Sequence, residues 1–494
     1  MSDYTLTRRE FVKGCCSVAV VGGVGSSLMY ADDAFAAANE YDTVVHLFLR
    51  GGLDGLNLVV PIDGVDRTFY EEARPSLKID ATGTYGALPL TLSTGAGTGF
   101  GLHPSATGLR DLWNDSRLAI VHACGMATTV TRSHFDAQLY IDLGTPGKYG
   151  SPSGWMTRAW QSRPASTPAA VMPSLGVSGT QPAGLMGAID SLTMSNPSDF
   201  QLNAGAWAWQ QIRGDSPAGF RGMNETLADL WAGQTGMEIN GRRADQAMKT
   251  IGQQSYASLP ATWPTGGFAE QLWTIAQSIR FNLGLRYATL DLGGWDTHEG
   301  QGTAGAGYNY YQNKIGELSA ALAAFYAELN ATGQMSRVTV IVQSEFGRRV
   351  RANANGGTDH GYGNPLLVLG GAVNGRRFYG SWPGLNPEIL SPTFGDVPVT
   401  TDYRRVVSEI MIRRMANPNL STIFPGYTGY SPLGIVQGAD LAPKIEQAAA
   451  QAAVVPVASD AAPQPEWRSQ TVRAPTPEWQ QRGPVDRLLT RRER

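Results

Sequence analysis

The sequence predicts an α/β protein, a three-layer α/β/α sandwich around a mainly parallel sheet, and three observations lead there. From Thr43 onward, apolar runs of strand length alternate with runs of helical pattern, the order that builds a sheet covered by helices. Several of the strand runs are apolar at successive positions rather than at alternate ones, as strands buried on both faces are. Polar residues with catalytic or ligand chemistry collect directly after those runs, where open parallel sheets bind their ligands.

The predicted strands are Thr43–Leu49 (TVVHLFL), Leu118–Ala123 (LAIVHA), Tyr287–Leu292 (YATLDL), Val338–Gln343 (VTVIVQ) and Leu366–Leu369 (LLVL). Helical patterns interleave at Thr107–Trp113, Phe268–Leu285, Tyr310–Leu329 and Asp402–Met415, the last opened by a Thr-Asp start signal. Between about 199 and 267 strand patterns disappear, and MNETLADLWAG and ADQAMKTIGQQ read as an inserted helical cap. One α/β domain over residues 41–435 accommodates all of this.

Both ends of the chain read differently. Thr7-Arg8-Arg9-Glu10-Phe11-Val12-Lys13 matches the twin-arginine export pattern, and a small-residue run, Ala34-Phe35-Ala36-Ala37-Ala38, offers a cleavage point. A signal peptide over residues 1–38 is expected, with the twin-arginine translocase as partner during export and a periplasmic or secreted destination. The apolar stretch from Val18 to Tyr30 is shorter than the ~20 residues a spanning helix needs, so the mature form is expected to have no stable membrane span. Lys13 stands where a lipidation site at the following cysteines needs a small or apolar residue. At the other end, residues 450–494 are rich in Pro, Gln and Arg and repeat APQPEW as APTPEW, which reads as a disordered tail, either solvated or docking on a partner or on the protein's own surface.

Composition narrows the function classes. The 494 residues are 42% hydrophobic with a net charge of -3, which suits a soluble globular protein and argues against a nucleic-acid partner. Removing residues 1–38 takes away three basic and four acidic residues, so the balance hardly moves. Only Cys124 then remains, and no intrachain disulfide can form.

The polar residues after each strand run carry the chemistry. Arg50-Gly51-Gly52-Leu53-Asp54-Gly55 follows the first run, and Thr131-Arg132-Ser133-His134-Phe135-Asp136 comes after the second. Gly293-Gly294-Trp295-Asp296-Thr297-His298-Glu299 follows the third; Ser344-Glu345-Phe346-Gly347-Arg348 follows the fourth and continues into a glycine-rich loop with Thr358-Asp359-His360. Side-by-side strands would gather Asp54, Ser133, Asp296, His298, Glu345 and His360 on one edge. Carboxylate and imidazole donors suit zinc, manganese or magnesium, and one or two such divalent ions can hold the oxygens of an ester displacement. Arg348, Arg349 or Arg351 could clamp an anionic substrate. A helix starting near Ser133 would aim its N–H groups at the centre and ease ionisation of that hydroxyl, making Ser133 the candidate nucleophile; direct attack by metal-activated water is the competing choice.

Taken singly, each group has a plainer use. Asp54 suits a Leu-Asp-Gly turn, Ser133 to Asp136 resembles a capping box, His134 suits a packed surface position, and the arginines suit a solvated cluster. His46 and His122 lie inside apolar runs and His103 precedes Pro104, so all three read as structural.

The set FLRGGLDGLNLVVP, RSHFDAQ, GGWDTHEGQ, SEFGRRVRANANGGTDHG followed by LLVLGG, and TTDYRRVV resembles the bacterial twin-arginine-exported family catalogued as domain of unknown function 1501, over about 41–425. That family is similar in turn to the alkaline-phosphatase-like superfamily of phosphatases, sulfatases, phosphodiesterases and phosphomutases. The resemblance implies a three-layer α/β/α sandwich, a metal-binding Asp at Asp54, a nucleophile at Ser133, an Asp and His at Asp296 and His298, a ligand pair at Glu345-Phe346 and a final His at His360. Phe346 departs from the pattern by replacing a histidine, and Asp296 and His298 stand closer than usual. The second metal position is therefore open: absent, completed by His134 or Asp359, or taken by a hard ion on carboxylates. The Cys-x-Pro-x-Arg setting of type-I sulfatases is missing at Cys124-Gly125-Met126-Ala127. The function implied is an exported metal-dependent hydrolase acting on anionic small-molecule or polymer esters of phosphate or sulfate, with Ser133, His134 and Arg348 as catalytic candidates. The alternative is a non-catalytic envelope scaffold or binding protein that keeps the sandwich.

Overall fold

A computed structural model describes residues 41–167, 170–195, 256–391 and 395–445, with scattered positions between 226 and 254. The chain divides into a unit ending at Gln447 and a second from Ala448 to Arg494, and every described residue belongs to the first. The expected signal peptide and tail, and most of the expected cap, lie outside the described residues.

The described elements are, in order, β1 (Thr43–Leu49), α1 (Gly55–Leu58), β2 (Val59–Pro61), α2 (Gly64–Ala73), β3 (Leu88–Thr91), β4 (Gly97–Leu102), α3 (Thr107–Asn114) and β5 (Leu118–Gly125). Then come α4 (His134–Leu143), α5 (Trp155–Gln161), β6 (Ser174–Gly176), β7 (Ser191–Thr193), α6 (Gly267–Arg280), β8 (Tyr287–Leu292), α7 (Tyr310–Ala331) and β9 (Val338–Ser344). The chain continues through β10 (Arg348–Ala352), β11 (Thr358–His360), β12 (Asn364–Gly370), β13 (Arg377–Tyr379), β14 (Thr401–Asp402), α8 (Tyr403–Arg413) and α9 (Leu420–Ile423).

The main sheet runs β13-β5-β12-β9-β1-β8-β6-β7, with β14 also on β5. It is mainly parallel, as the apolar runs predict; among its described strands β12 alone lies antiparallel, to β9 and to β5. Leu366–Leu369 carries the same apolar signature as its parallel neighbours, because burial on both faces, not strand direction, sets that pattern. The short β6 and β7 carry too little periodicity to be seen in the sequence.

Strand alternation sorts the core into two layers. Val45, Leu47 and Leu49 of β1, with Leu290 of β8 and Val340 of β9, pack under α3, α6 and α7. Val44 and Phe48, with Ile341 and Val368, face α4, α5, α8 and α9. Each fully buried aliphatic side chain contributes roughly 1.5–3 kcal/mol, so a sheet covered on both faces needs no disulfide. Helix ends follow local chemistry: the Asp402 carboxylate accepts from Arg404 N at 2.9 Å to start α8. The sixth helix stops short of the expected Leu285, because Asn282 and Gly284 take left-handed φ values of 54° and 80°.

Two small sheets sit beside the strand ends, β2-β4-β3 and β10-β11. The glycine-rich loop of the sequence is therefore a hairpin: β10 and β11 pair antiparallel, with Arg348 opposite His360. In β1, β8 and β9 the registers align Leu49 with both Leu292 and Ser344. The residues that follow these three positions start from one line.

Candidate metal centre

The centre is assembled on that line. The peptide N–H of Gly51, just past β1, donates to Glu345 Oε1 at 2.8 Å. Gly51 has φ +123°, and a Cβ there would stand 2.4 Å from the backbone nitrogen of Asp296, so only glycine lets the loops after β1 and β8 meet. A Cβ on Gly52 would fall 2.8 Å from the Phe346 ring.

Glu345 is 1% exposed. Its Oε1 also accepts from Gln138 Nε2 at 2.7 Å and faces His134 Nδ1 at 2.7 Å, and Oε2 accepts from Ser344 Oγ at 2.9 Å. Burial opposes ionisation, but the hydrogen bonds, His134 and Gln138 foremost, hold its pKa below the usual carboxylate range. An ionised carboxylate only accepts, so Nδ1 of His134 carries the proton and donates. The same logic fixes His360, whose Nδ1 meets the Arg132 carbonyl at 2.7 Å. Both rings, when neutral, present a bare Nε2.

Those two nitrogens and the Asp296 carboxylate converge: the three donor atoms lie within 4.8 Å of one another. Nε2 of His134 is 3.3 Å from Asp296 Oδ1, yet it is buried without a hydrogen-bond partner. Nε2 of His360 is 3.3 Å and Nε2 of His298 3.1 Å from the same oxygen, and the His298 and His360 Nε2 atoms stand 2.8 Å apart. Lone pairs facing one another and a carboxylate make a site that wants a cation. Phe346, where the family resemblance leads one to look for a histidine, is an apolar wall with its ring centroid 4.9 Å from those of both His134 and His360.

Charge at the centre follows from these contacts. Partial burial of Asp296 opposes ionisation, but the Arg348 guanidinium at 2.6 Å brings its pKa down to about 2. Burial would lower His134, but the Glu345 hydrogen bond and charge raise it. Desolvation lowers His360.

Several candidates fall elsewhere. Asp54 is not in the cluster: it is fully buried, and its Oδ2 accepts from Arg74 Nη1 and from Gln301 Nε2, each at 2.6 Å. The Arg74 guanidinium supplies its counter-charge, while Oδ1 of Asp54 is buried without a hydrogen-bond partner. Glu345 supports His134 rather than joining the three donors. Asp359 lies behind His298, 3.3 Å from its Nδ1, and accepts from Asn353 at 3.2 Å. The side chain of Arg348 is wholly buried and spends its donors on Gly52 O, Thr358 O, Gly51 O and Trp295 O besides Asp296, so it does not reach out as a substrate clamp. Ser133 caps α4, its Oγ accepting from Asp136 N at 3.3 Å. It stands between Arg132 and His134, which touch His360 and Glu345. The reading of the sequence missed Gln138 and Arg74; Gln138 was within reach, since it lies four residues after His134 on one helix face.

Comparison with known proteins adds a family match over part of the chain. Residues 235–395 match the family described as protein of unknown function (DUF1501). The matched segment includes Asp296, His298, Glu345, Arg348, Asp359 and His360, and excludes His134. Comparison with curated proteins gives no match. Among solved structures the chain is similar to the PsFucS1 sulfatase from Pseudoalteromonas sp., at 10% identity over 69% of this chain and 64% of that one, TM-score 0.30. It is similar also to the C-terminal periplasmic domain of EcEptC from Escherichia coli in complex with Zn (10%, 69% and 75%, TM-score 0.29). A third is a protein in the alkaline phosphatase superfamily from Vibrio parahaemolyticus (8%, 76% and 71%, TM-score 0.28). The chain spans less than two thirds of the sulfatase's length, and likenesses this faint assign no residue role to it. Among the described residues no helix is long and apolar enough to cross a membrane.

Proposed function

We propose that the protein is an exported, metal-dependent hydrolase of phosphate or sulfate esters, with His134, Asp296 and His360 as the ligands of a divalent ion. One observation carries this: a buried His134 Nε2 without a hydrogen-bond partner, in a ring whose other nitrogen is committed to Glu345, faces the Asp296 carboxylate and the Nε2 of His360. Two nitrogens and one oxygen suit zinc or manganese better than magnesium, which prefers oxygen throughout. A divalent cation there would supply Lewis acidity towards an ester oxygen.

The chain's own groups do the rest. Glu345 and the Arg132 carbonyl fix the tautomers of two ligands, as the outer partners of metal-bound histidines do. Ser133, at the start of α4, stands beside His134 with the helix N–H groups behind it, a setting that favours a developing alkoxide or an anionic ester. The site lies beyond the carboxyl ends of β1, β8 and β9, open on the side of Asp296 and His298, whose side chains are 49% and 42% exposed.

Metal content and turnover test the reading together. Purified protein dialysed against zinc or manganese is expected to retain the ion and to cleave aryl phosphate mono- or diesters or aryl sulfates; Asp296→Asn is expected to lose both. A chain that holds no ion under any loading would overturn the proposal. The second reading, a non-catalytic envelope protein, draws on Ser133 Oγ serving as a cap and Arg348 being spent on carbonyls; retained metal with no turnover on any of these esters would favour it.

A further inference from the structure

The other carboxylates near the centre are already engaged by groups of the chain itself. Asp54 and Arg74 form a pair at 2.6 Å with neither side chain exposed. Glu345 is committed to Gly51, Gln138, Ser344 and His134. Asp359, the remaining one, faces His298 and Asn353, and among the described residues the one group of three convergent donors is His134, Asp296 and His360.

Beside that group, five oxygens from three segments of the chain converge on one side chain. The carbonyls of Gly51 and Gly52 after β1, Trp295 after β8 and Thr358 in β11, with Asp296 Oδ1, surround a single group. Such a set of oxygens is what a hard cation takes. Here the group is the Arg348 guanidinium, whose side chain is wholly buried and whose planar fork can serve several acceptors at once.

We infer that the centre takes one divalent ion per chain, and that Arg348 stands in for a second ion, holding Asp296 oriented towards the first. Arg348 is thus a positioning residue, acting through Asp296. This rests on the ligand assignment proposed above, and the experiment separates the two failures.

The test counts ions on the full chain. Equilibrium dialysis with manganese is expected to give one ion per chain, with the electron paramagnetic resonance spectrum of an isolated ion. Two ions per chain with an exchange-coupled spectrum overturn this inference and leave the ligand assignment standing; no bound ion overturns both. Arg348→Ala is expected to weaken manganese binding by about tenfold or more, the loss typical when an outer partner of a metal ligand is removed. Added guanidinium, unlike sodium chloride at the same ionic strength, is expected to restore it. Unchanged affinity in Arg348→Ala overturns the role given to Arg348. Should that variant not fold, the wild-type count and Arg348→Lys, expected to bind more weakly than wild type because an ammonium cannot reach all five oxygens, decide the matter.

Discussion

The chain's six histidines divide between two regions, the interior and the strand-end cleft. His46, His103 and His122 are buried at 1%, 0% and 7% exposure. His122 stacks on Phe378 at 4.3 Å, and His46 lies edge-on to Phe48 and Trp155. Burial pulls the pKa of each down to about 4, so these rings are neutral packing. His134, His298 and His360 stand past the strand ends, each with an oxygen facing its Nδ1 and its Nε2 turned towards Asp296. What sets the cleft rings apart is an oxygen that holds the far nitrogen and leaves the other aimed at a carboxylate.

Acid should show the difference first. Below about pH 6.5 the unfolded chain takes up protons on the interior histidines, while the folded chain does not until about 4. The unfolded state thus binds more protons in that window, and stability falls as pH falls through it. At 1.36 kcal/mol per pKa unit the loss is at most about 3 kcal/mol for each ring, summed over three. Urea denaturation between pH 7 and 4 measures it, and His122→Phe is expected to flatten the slope; a slope unchanged by that substitution would remove His122 from the interior set.

The carboxylates divide in the same way. Asp54→Ala leaves Arg74 buried and unpaired, and is expected to cost about 3–5 kcal/mol while the folded fraction keeps its manganese affinity. Asp296→Asn, at a half-exposed side chain, keeps a neutral acceptor for Arg348 and is expected to cost about 1–3 kcal/mol, less than Asp54→Ala, and to abolish metal binding. Denaturation and dialysis on both variants check this. If Asp54→Ala also lost the metal with its fold intact, the boundary between the two regions would have been drawn in the wrong place.

The same contrast explains what could be read in advance. Strand and helix positions follow from local periodicity, so β1 and β8 were legible residue for residue, and the line of strand ends followed from the fold class. Which of two aspartates after two strands would face the histidines was not legible. Asp54 is taken by Arg74, twenty residues away on α2, and that contact exists only once α2 has docked. Arg348 misled for a related reason: beside Arg349 and Arg351 it looks like part of a solvated cluster, but only Arg348 enters the sheet end, where the turned carbonyls of two positive-φ glycines receive it.

Within the cleft, Glu345 and Ser133 rank next. Glu345→Gln keeps the shape but removes the charge that holds the His134 proton on Nδ1, and metal affinity is expected to fall by about 10–100-fold while manganese titration of the folded variant still shows one site. An unchanged affinity would mean that His134 is oriented by packing against Phe346 alone.

Ser133 gives the smallest stability effect and the sharpest functional one. Its Oγ accepts from Asp136 N, so Ser133→Ala should cost about 1 kcal/mol as a lost helix cap, and Ser133→Gly only a few tenths. A cap can be replaced by glycine because the backbone end is then reached by water; an attacking oxygen cannot. If the hydroxyl is the nucleophile, both variants lose turnover alike despite their different stabilities. Turnover that survives Ser133→Gly would leave Ser133 as a cap alone, assign the attack to water, and confine the cleft's chemistry to the three histidines and Asp296.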